Sequence, residues 1–267
     1  MLYCTALAGP FMVKCRQLVI SFIMLLGLHA NAQPYSTANA HSHNDYEQPL
    51  PFYTAWRAGF GSIEADIFLE KGELIVAHDT VELKKGRTLD ALYLQPLQAA
   101  IIQNKGSVYA DPLRELVLLV DVKTAAKPTL EKLVEKLRNY PLLMKTASLR
   151  IVISGNRPEV ADFHFWPKWM LFDGNPKTVY SRKQLKRVGM FSDNFANYSK
   201  WKAEGTLTAG DSLVLDSIVQ HVHRLHKKIR LWNAPDLVSS WKTLMDLRVD
   251  YINTDHIEAL NRFMETQ

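Results

Sequence analysis

Six short segments of this 267-residue chain carry the groups able to move protons or hold cations. The stretch AHSHNDYEQP, positions 40–49, places His41, His43, Asn44, Asp45 and Glu47 within a few turns of chain. SIEADIF follows with Glu64 and Asp66, and ELIVAHD ends on His78 and Asp79. VLLVDVK ends on Asp121 and Lys123, IRLWN on Trp232 and Asn233, and YINTD on Asn253, Thr254 and Asp255. Histidine titrates near neutrality without help, so His41, His43 and His78 are the candidates for proton transfer. The plain alternative for each is a structural cap or hydrogen-bond partner.

Glu64 and Asp66 are two apart, so on a strand they point to the same side. Two carboxylates buried together repel unless a proton or a cation intervenes. A divalent metal meets that need, and Asp121 on a neighbouring strand completes an all-oxygen set suited to Mg2+ or Ca2+ rather than zinc. The apolar alternates Ile63, Ala65 and Ile67 are equally compatible with an edge strand whose carboxylates stand in water. Lys123, two beyond Asp121, shares its face and can neutralise a phosphate or pair with the carboxylates; an exposed strand-end lysine is the default alternative. His221, His223 and His226 lie on a predicted helix without a carboxylate at ligand spacing and read as surface residues.

What must position these groups is an alternation of apolar runs and amphipathic stretches. GSIEADIFL alternates as a strand, ELIVAHD is a short strand or hairpin arm, and RELVLLVDVK, SLRIVISGN, KWMLFDG, RVGMFSDN, KIRLWNAP and VDYINTDHI are further strands. STANAH is a weak strand leading into the first motif. Helical patterns fall between them: FYTAWRAGF ending at Gly59, TLDALYLQPLQAAIIQ with a break expected near Pro96, TLEKLVEKLRNY with Leu130, Leu133 and Leu137 on one face, GDSLVLDSIVQHVHRLHK and DLVSSWKTLMDL. About eight strands, each followed by helical material, predict an α/β fold of the (β/α)8 TIM-barrel type, with a doubly wound open sheet as the structural alternative. In a barrel, the six segments would gather at the C-terminal strand ends, where catalytic groups collect.

With 47% apolar and 22% charged residues the composition is that of a folded globular protein. Lys14 and Arg16 precede the apolar run Leu18 to Leu28, and Ala30 and Ala32 occupy the small-residue positions of a cleavage site, which predicts a signal peptide over 1–32 and one barrel domain over 33–267. The run is short for a membrane span, and no cysteine follows it at a lipoprotein position, so no stable membrane anchor is expected and the mature product is expected to be secreted or periplasmic. Met12 is a candidate initiator. Cys4 and Cys15 both lie in the removable segment, so the mature chain would have no thiol. Without Lys14 and Arg16 the formal charge falls from +5 to about +3, compatible with an anionic substrate and too small to argue for nucleic acid.

The run AHSHNDYEQPLPFYTAWRAGFGSIEADIFLEKGELIVAHD resembles the phospholipase-C-like superfamily of TIM barrels, which contains the glycerophosphodiester phosphodiesterases. It is most similar to the branch typified by the altered-inheritance-of-mitochondria protein 6 family. The likeness continues through LVDVK, VISGN, IRLWNAP and VDYINTD and so covers nearly all of the mature chain. The resemblance implies a catalytic histidine after the first strand, here His41, a metal-binding pair at Glu64 and Asp66, and a second catalytic histidine at His78. It also implies a third acidic ligand at Asp121 with Lys123 near the phosphate; Asn44 and Trp232 join Lys123 as candidate phosphate contacts. One histidine would deprotonate a substrate hydroxyl beside phosphorus and the other protonate the leaving alcohol.

The chain departs from the better-known pattern in three places. His-Arg-Gly is replaced by HSH, which removes an arginine expected at phosphate and lets His43 compete with His41. Pro-Glu-Asn-Thr is replaced by NDYEQP, so that Asn44 or Asp45 would have to supply the group expected near the metal. Asp121 stands where glutamate is commoner. The expected function is a metal-dependent phosphodiesterase acting on a glycerophosphodiester or phospholipid head group, with one Ca2+ or Mg2+. Its competitors are a phosphate- or sugar-binding barrel without turnover and a metal-independent inositol-type phospholipase C.

Overall fold

The first strand of the barrel is one of its two shortest. Ser36 caps a 3-10 turn at Thr37–Asn39, and only Ala40–Ser42, the end of the weak STANAH segment, is extended as β1. The computed structural model describes residues 35–84 and 86–266. The expected signal peptide, both cysteines and Met12 lie outside the described residues, and no helix among the described ones is long and apolar enough to cross a membrane.

Strand β2 (Ser62–Glu70) pairs in parallel with β1, aligning His41 with Ser62, and carries burial on both faces as far as Phe68. It turns through Lys71 and Gly72, both at positive φ, the two-residue hairpin geometry that glycine favours, into antiparallel β3 (Glu73–Val76). ELIVAHD is therefore a hairpin arm outside the barrel wall. On its other side β2 pairs in parallel with β4 (Leu116–Val122), which sets Asp66 beside Asp121. The wall continues in parallel through β5 (Leu149–Gly155), β6 (Met170–Gly174), β7 (Val188–Asn194) and β8 (Ile229–Trp232). Strand β9 (Ile252–Thr254) pairs with β1, and a single parallel bridge from Arg230 to Tyr251 brings the two ends together. Eight parallel strands thus form a nearly closed barrel of the TIM type, not an open sheet.

Two apolar cores follow from strand alternation. Outward-facing strand residues pack under the helices: Leu130, Leu133 and Leu137 of one helix (Ala126–Leu137) are all buried, as their spacing predicts. A smaller, separate cluster of Val117, Leu119, Val152, Met190 and Tyr251, joined by Leu171, fills the barrel interior. Two residues further along the same strands stand Asp121, Ser154, Asp173 and Ser192. The inner face of each strand thus changes from an apolar floor to a polar rim within one alternation. At Pro96 the helical backbone does not break: a π turn at Asp90–Leu94 runs directly, through Leu94 and Gln95 in the right-handed helical region, into a helix at Gln95–Gln103 with Pro96 near its start.

Candidate active site

The polar rim opens into a cavity of about 440 Å3 lined by His43, Glu64, Asp121, Lys123, Ser154, Asp173, Arg230 and Trp232, among others. Its floor holds the carboxylates expected from the sequence. Oxygens of Glu64, Asp66 and Asp121 lie within 4.8 Å of one another. Glu64 and Asp66 are 5% and 1% exposed, so the reading of β2 as an edge strand with hydrated carboxylates is corrected: β1 and β4 flank it on both sides.

Two cations stand among these three acids. Lys123 Nζ is 2.9 Å from Asp66 Oδ2 and also bonds Asp121 Oδ2, so it is not the exposed strand-end lysine of the default reading. Burial works against its charge, but Asp121 and Asp66 together raise its pKa. Arg230, buried in β8, donates through Nη1 to Glu64 Oε2. Burial alone would raise the pKa of Glu64; the guanidinium and the bond to His41 hold it well below the usual range. Asp66 is pushed up to about 6 by burial and by the charge on Glu64, with Lys123 opposing. Ser154 donates to Asp121 Oδ1 at 2.8 Å.

Asp66 Oδ1 is buried without any partner, an uncommon state for a carboxylate oxygen. A buried oxygen without a partner, on one of three clustered carboxylates, fits a hard divalent cation with oxygen ligands. Asp45 does not join this set. Its Oδ1 accepts from Ser42 at 2.8 Å, and its Oδ2 accepts from the Phe52 N–H at 2.6 Å and from Tyr93 at 3.0 Å, so it ties the loop after β1 to the wall.

The histidines occupy three different settings. His41 is fully buried, with Nδ1 2.8 Å from Ser62 Oγ and Nε2 2.8 Å from Glu64 Oε2, while Arg230 Nη1 also crowds Nε2. Burial and the Arg230 charge push its pKa down to about 3, so the ring is neutral. The Ser62 hydroxyl can donate or accept, so the tautomer follows Nε2: protonated toward Glu64, or bare toward Arg230. His43 lines the cavity, with Nδ1 2.9 Å from Asp255 Oδ1. Burial lowers its pKa, but the bond to Asp255 and the charge of Glu64 outweigh this and raise it. His78 is exposed and does not line the cavity; its Nδ1 is 3.2 Å from the Tyr46 hydroxyl. That hydroxyl is also 2.8 Å from Asp66 Oδ2 and from Asn44 Oδ1, and it links His78 to the carboxylates.

Of the sequence-predicted residues, His43, Glu64, Asp121, Lys123 and Trp232 line the cavity. His41 and Asp66 lie directly beneath it, bonded to Glu64 and Lys123 respectively. Asn44 is engaged beside it with His43, Asp255 and Tyr46, and His78 is joined to it only through Tyr46. Sequence reading missed Arg230, Tyr46, Ser62 and Asp173. Arg230 and Asp173 had one signal: each is a charged residue inside a short apolar strand, and Arg230 shares the phase of Trp232. Of the other histidines, His223 bonds Asp250 at 2.8 Å and His226 stands exposed, both away from the cavity.

Comparison with known proteins agrees with this architecture. Residues 29–145 match the AIM6-like phosphodiesterase domain, and residues 228–258 match the glycerophosphoryl diester phosphodiesterase family. Altered inheritance of mitochondria protein 6 of Eremothecium gossypii is 27% identical over 274 residues, spanning 84% of this chain and 68% of that protein. Its Kluyveromyces lactis counterpart is 28% identical over 302 residues, spanning 84% and 72%. Among solved structures, a glycerophosphodiester phosphodiesterase from Parabacteroides distasonis superposes with a TM-score of 0.52 at 13% identity, over 85% of this chain and 97% of that one. An Oleispira antarctica phosphodiesterase in complex with the product sn-glycerol-3-phosphate gives 0.51 at 12% identity, over 85% and 95%. At these identities the structural likeness is one of fold.

Proposed function

From the premise that the chain is a glycerophosphodiester-phosphodiesterase-like TIM barrel of the AIM6-like branch, we propose that it is a metal-dependent phosphodiesterase acting on glycerophosphodiesters or phospholipid head groups. The observation that carries this is the carboxylate cluster of Glu64, Asp66 and Asp121, with its buried orphan oxygen, beneath a cavity edged by histidine. A divalent cation, Ca2+ or Mg2+, held by those three residues would polarise a phosphoryl oxygen.

The chain's own groups do the rest. Lys123 and Arg230 bring positive charge to the cavity and are the side chains able to hold the phosphate. One histidine at the end of β1 accepts the proton of the attacking hydroxyl, and His78 protonates the leaving alcohol. His43 faces the cavity; His41 is neutral but fully buried, and with its pKa pushed down to about 3 it is the weaker base of the two. The protein acts outside the cytoplasm, after cleavage near Ala32, a reading supported by the sequence of residues 14–32.

The test is hydrolysis of bis(p-nitrophenyl) phosphate and a panel of glycerophosphodiesters, with chelator and then Ca2+ or Mg2+ added back. Activity lost in chelator and restored by one cation is the expected result. Activity that persists in chelator would instead favour the inositol-type mechanism, with Arg230 and Lys123 in the metal's place. No activity under any condition would favour a binding protein.

A further inference from the structure

The opposite end of the barrel carries a second, smaller cavity of about 170 Å3, at the N-terminal ends of the strands. Lys227 and Lys228 precede β8, Arg150 is the second residue of β5, Glu115 precedes β4 and Tyr251 precedes β9, and all five line it. Three cations thus meet one carboxylate. Glu115 Oε1 is 3.1 Å from Arg150 Nη2 and answers that charge. Lys227 is half-buried; its Nζ donates to the Val188 carbonyl at 2.6 Å and meets no carboxylate among the described residues. Burial and the Arg150 charge both lower its pKa, the mark of a cation drawn from water without a counter-charge. Lys228 Nζ donates to the Tyr251 hydroxyl at 3.3 Å and stands 5.0 Å from the centre of that ring, again with no carboxylate among the described residues. Tyr251 is 2% exposed. With Lys228 as donor, its hydroxyl keeps a proton that has no acceptor among the described residues.

We propose that this cavity is an anion site, in which Lys227, Lys228, Arg150 and the Tyr251 hydroxyl hold a small tetrahedral oxyanion of charge about −2, inorganic phosphate or the phosphate end of a monoester. The charge follows from the two lysines that no carboxylate answers; a single carboxylate ligand would leave one of them unpaired. The size follows from the volume and from the floor, where Val117 and Tyr251 belong to the apolar cluster that fills the barrel. Donors converge from several strand ends, which suits an ion whose oxygens point in several directions. The site also spans the seam of the wall. Strands β8 and β9 are joined by one bridge, Arg230 to Tyr251, and Lys228 and Tyr251 stand on its two sides, so an anion held by both ties the ends of the barrel together.

The test reads the two amines themselves, so phosphate bound at the active site does not enter it. The full chain is trace-labelled with an amine-acetylating reagent at about pH 8, where a phosphomonoester is a dianion. Modification of each lysine is followed by mass spectrometry in inorganic phosphate, sn-glycerol 3-phosphate or nitrate at one ionic strength. A site with a Kd of about 1 mM slows labelling of Lys227 and Lys228 roughly sixfold at about 5 mM anion. The exposed Lys202 is unaffected. Lys228→Gln, at an exposed position, reduces the protection of Lys227 several-fold while the chain stays folded. Protection by inorganic phosphate alone assigns the site to the free ion, and protection by both phosphates assigns it to the phosphate group of a monoester. Equal protection by nitrate, protection undiminished in Lys228→Gln, or no protection of either lysine up to about 50 mM phosphate overturns the site. None of these outcomes bears on the phosphodiesterase reading.

Discussion

Replacing Asp45 by alanine removes the one acceptor shared by three donors of the loop after β1. The Phe52 N–H has no freedom to turn away, because Phe52 is held at φ 64 and is fully buried. Leaving it unpaired costs about 1–3 kcal/mol, and the Ser42 and Tyr93 hydroxyls, which can rotate, add about 1 kcal/mol each. The total, roughly 3–5 kcal/mol, is a large share of the ~5–15 kcal/mol that holds a typical domain. The loss also depends on pH. Burial raises the Asp45 pKa to about 6, against roughly 3.9 in the unfolded chain. A raised acid contributes stability that is complete below the unfolded value and lost as pH climbs through the folded one. Between pH 7 and pH 5 wild type should therefore gain about 1 kcal/mol over Asp45→Ala from this group. Urea denaturation of both proteins at the two pH values reads the difference directly, with equal slopes expected. A loss below about 1 kcal/mol at pH 5, or one that shrinks on acidification, would refute the assignment of Asp45 as a buried structural acceptor.

Two further perturbations address the site. His78→Ala should lower phosphodiester turnover by roughly 10²–10⁴-fold, since general acid catalysis is worth that much, and should leave the melting temperature near wild type because the side chain is exposed. Wild-type turnover in that variant would end the two-histidine mechanism. Gly155→Ala places a Cβ against Asp121 Oδ1 and the Val122 carbonyl at φ +67, where a side chain is strained. It should weaken Ca2+ or Mg2+ binding, measured by the thermal shift that each cation produces, and an unchanged shift would detach Asp121 from the cation set.

The barrel was legible because its strands obey local rules. RELVLLVDVK and SLRIVISGN are apolar on both faces, as strands covered by helices outside and side chains inside must be. The ELIVAHD arm was ambiguous because hairpin and barrel strands share the same alternation over four residues; only the two positive φ values at Lys71 and Gly72 decide its direction. Glu64, Asp66 and Asp121 were legible as a set because strand phase alone puts i and i+2 on one face, and parallel pairing then sets Asp66 beside Asp121.

What strand phase cannot express is contact across the barrel. Arg230 reaches Glu64 and His41 from positions 166 and 189 residues away in sequence. Nothing in IRLW says which acid it will meet; that is fixed by the single bridge between Arg230 and Tyr251 that nearly closes the wall. The missing arginine of the HSH segment could be read at once, whereas the guanidinium that comes to stand beside His41 could be found only by closing the barrel. The same holds for Asp173, whose carboxyl is pushed up to about 7 by burial beneath a rim drawn from several strands. Reading the carboxylate cluster therefore needs only neighbouring strands. The guanidinium that balances Glu64 emerges only when the ends of the barrel meet.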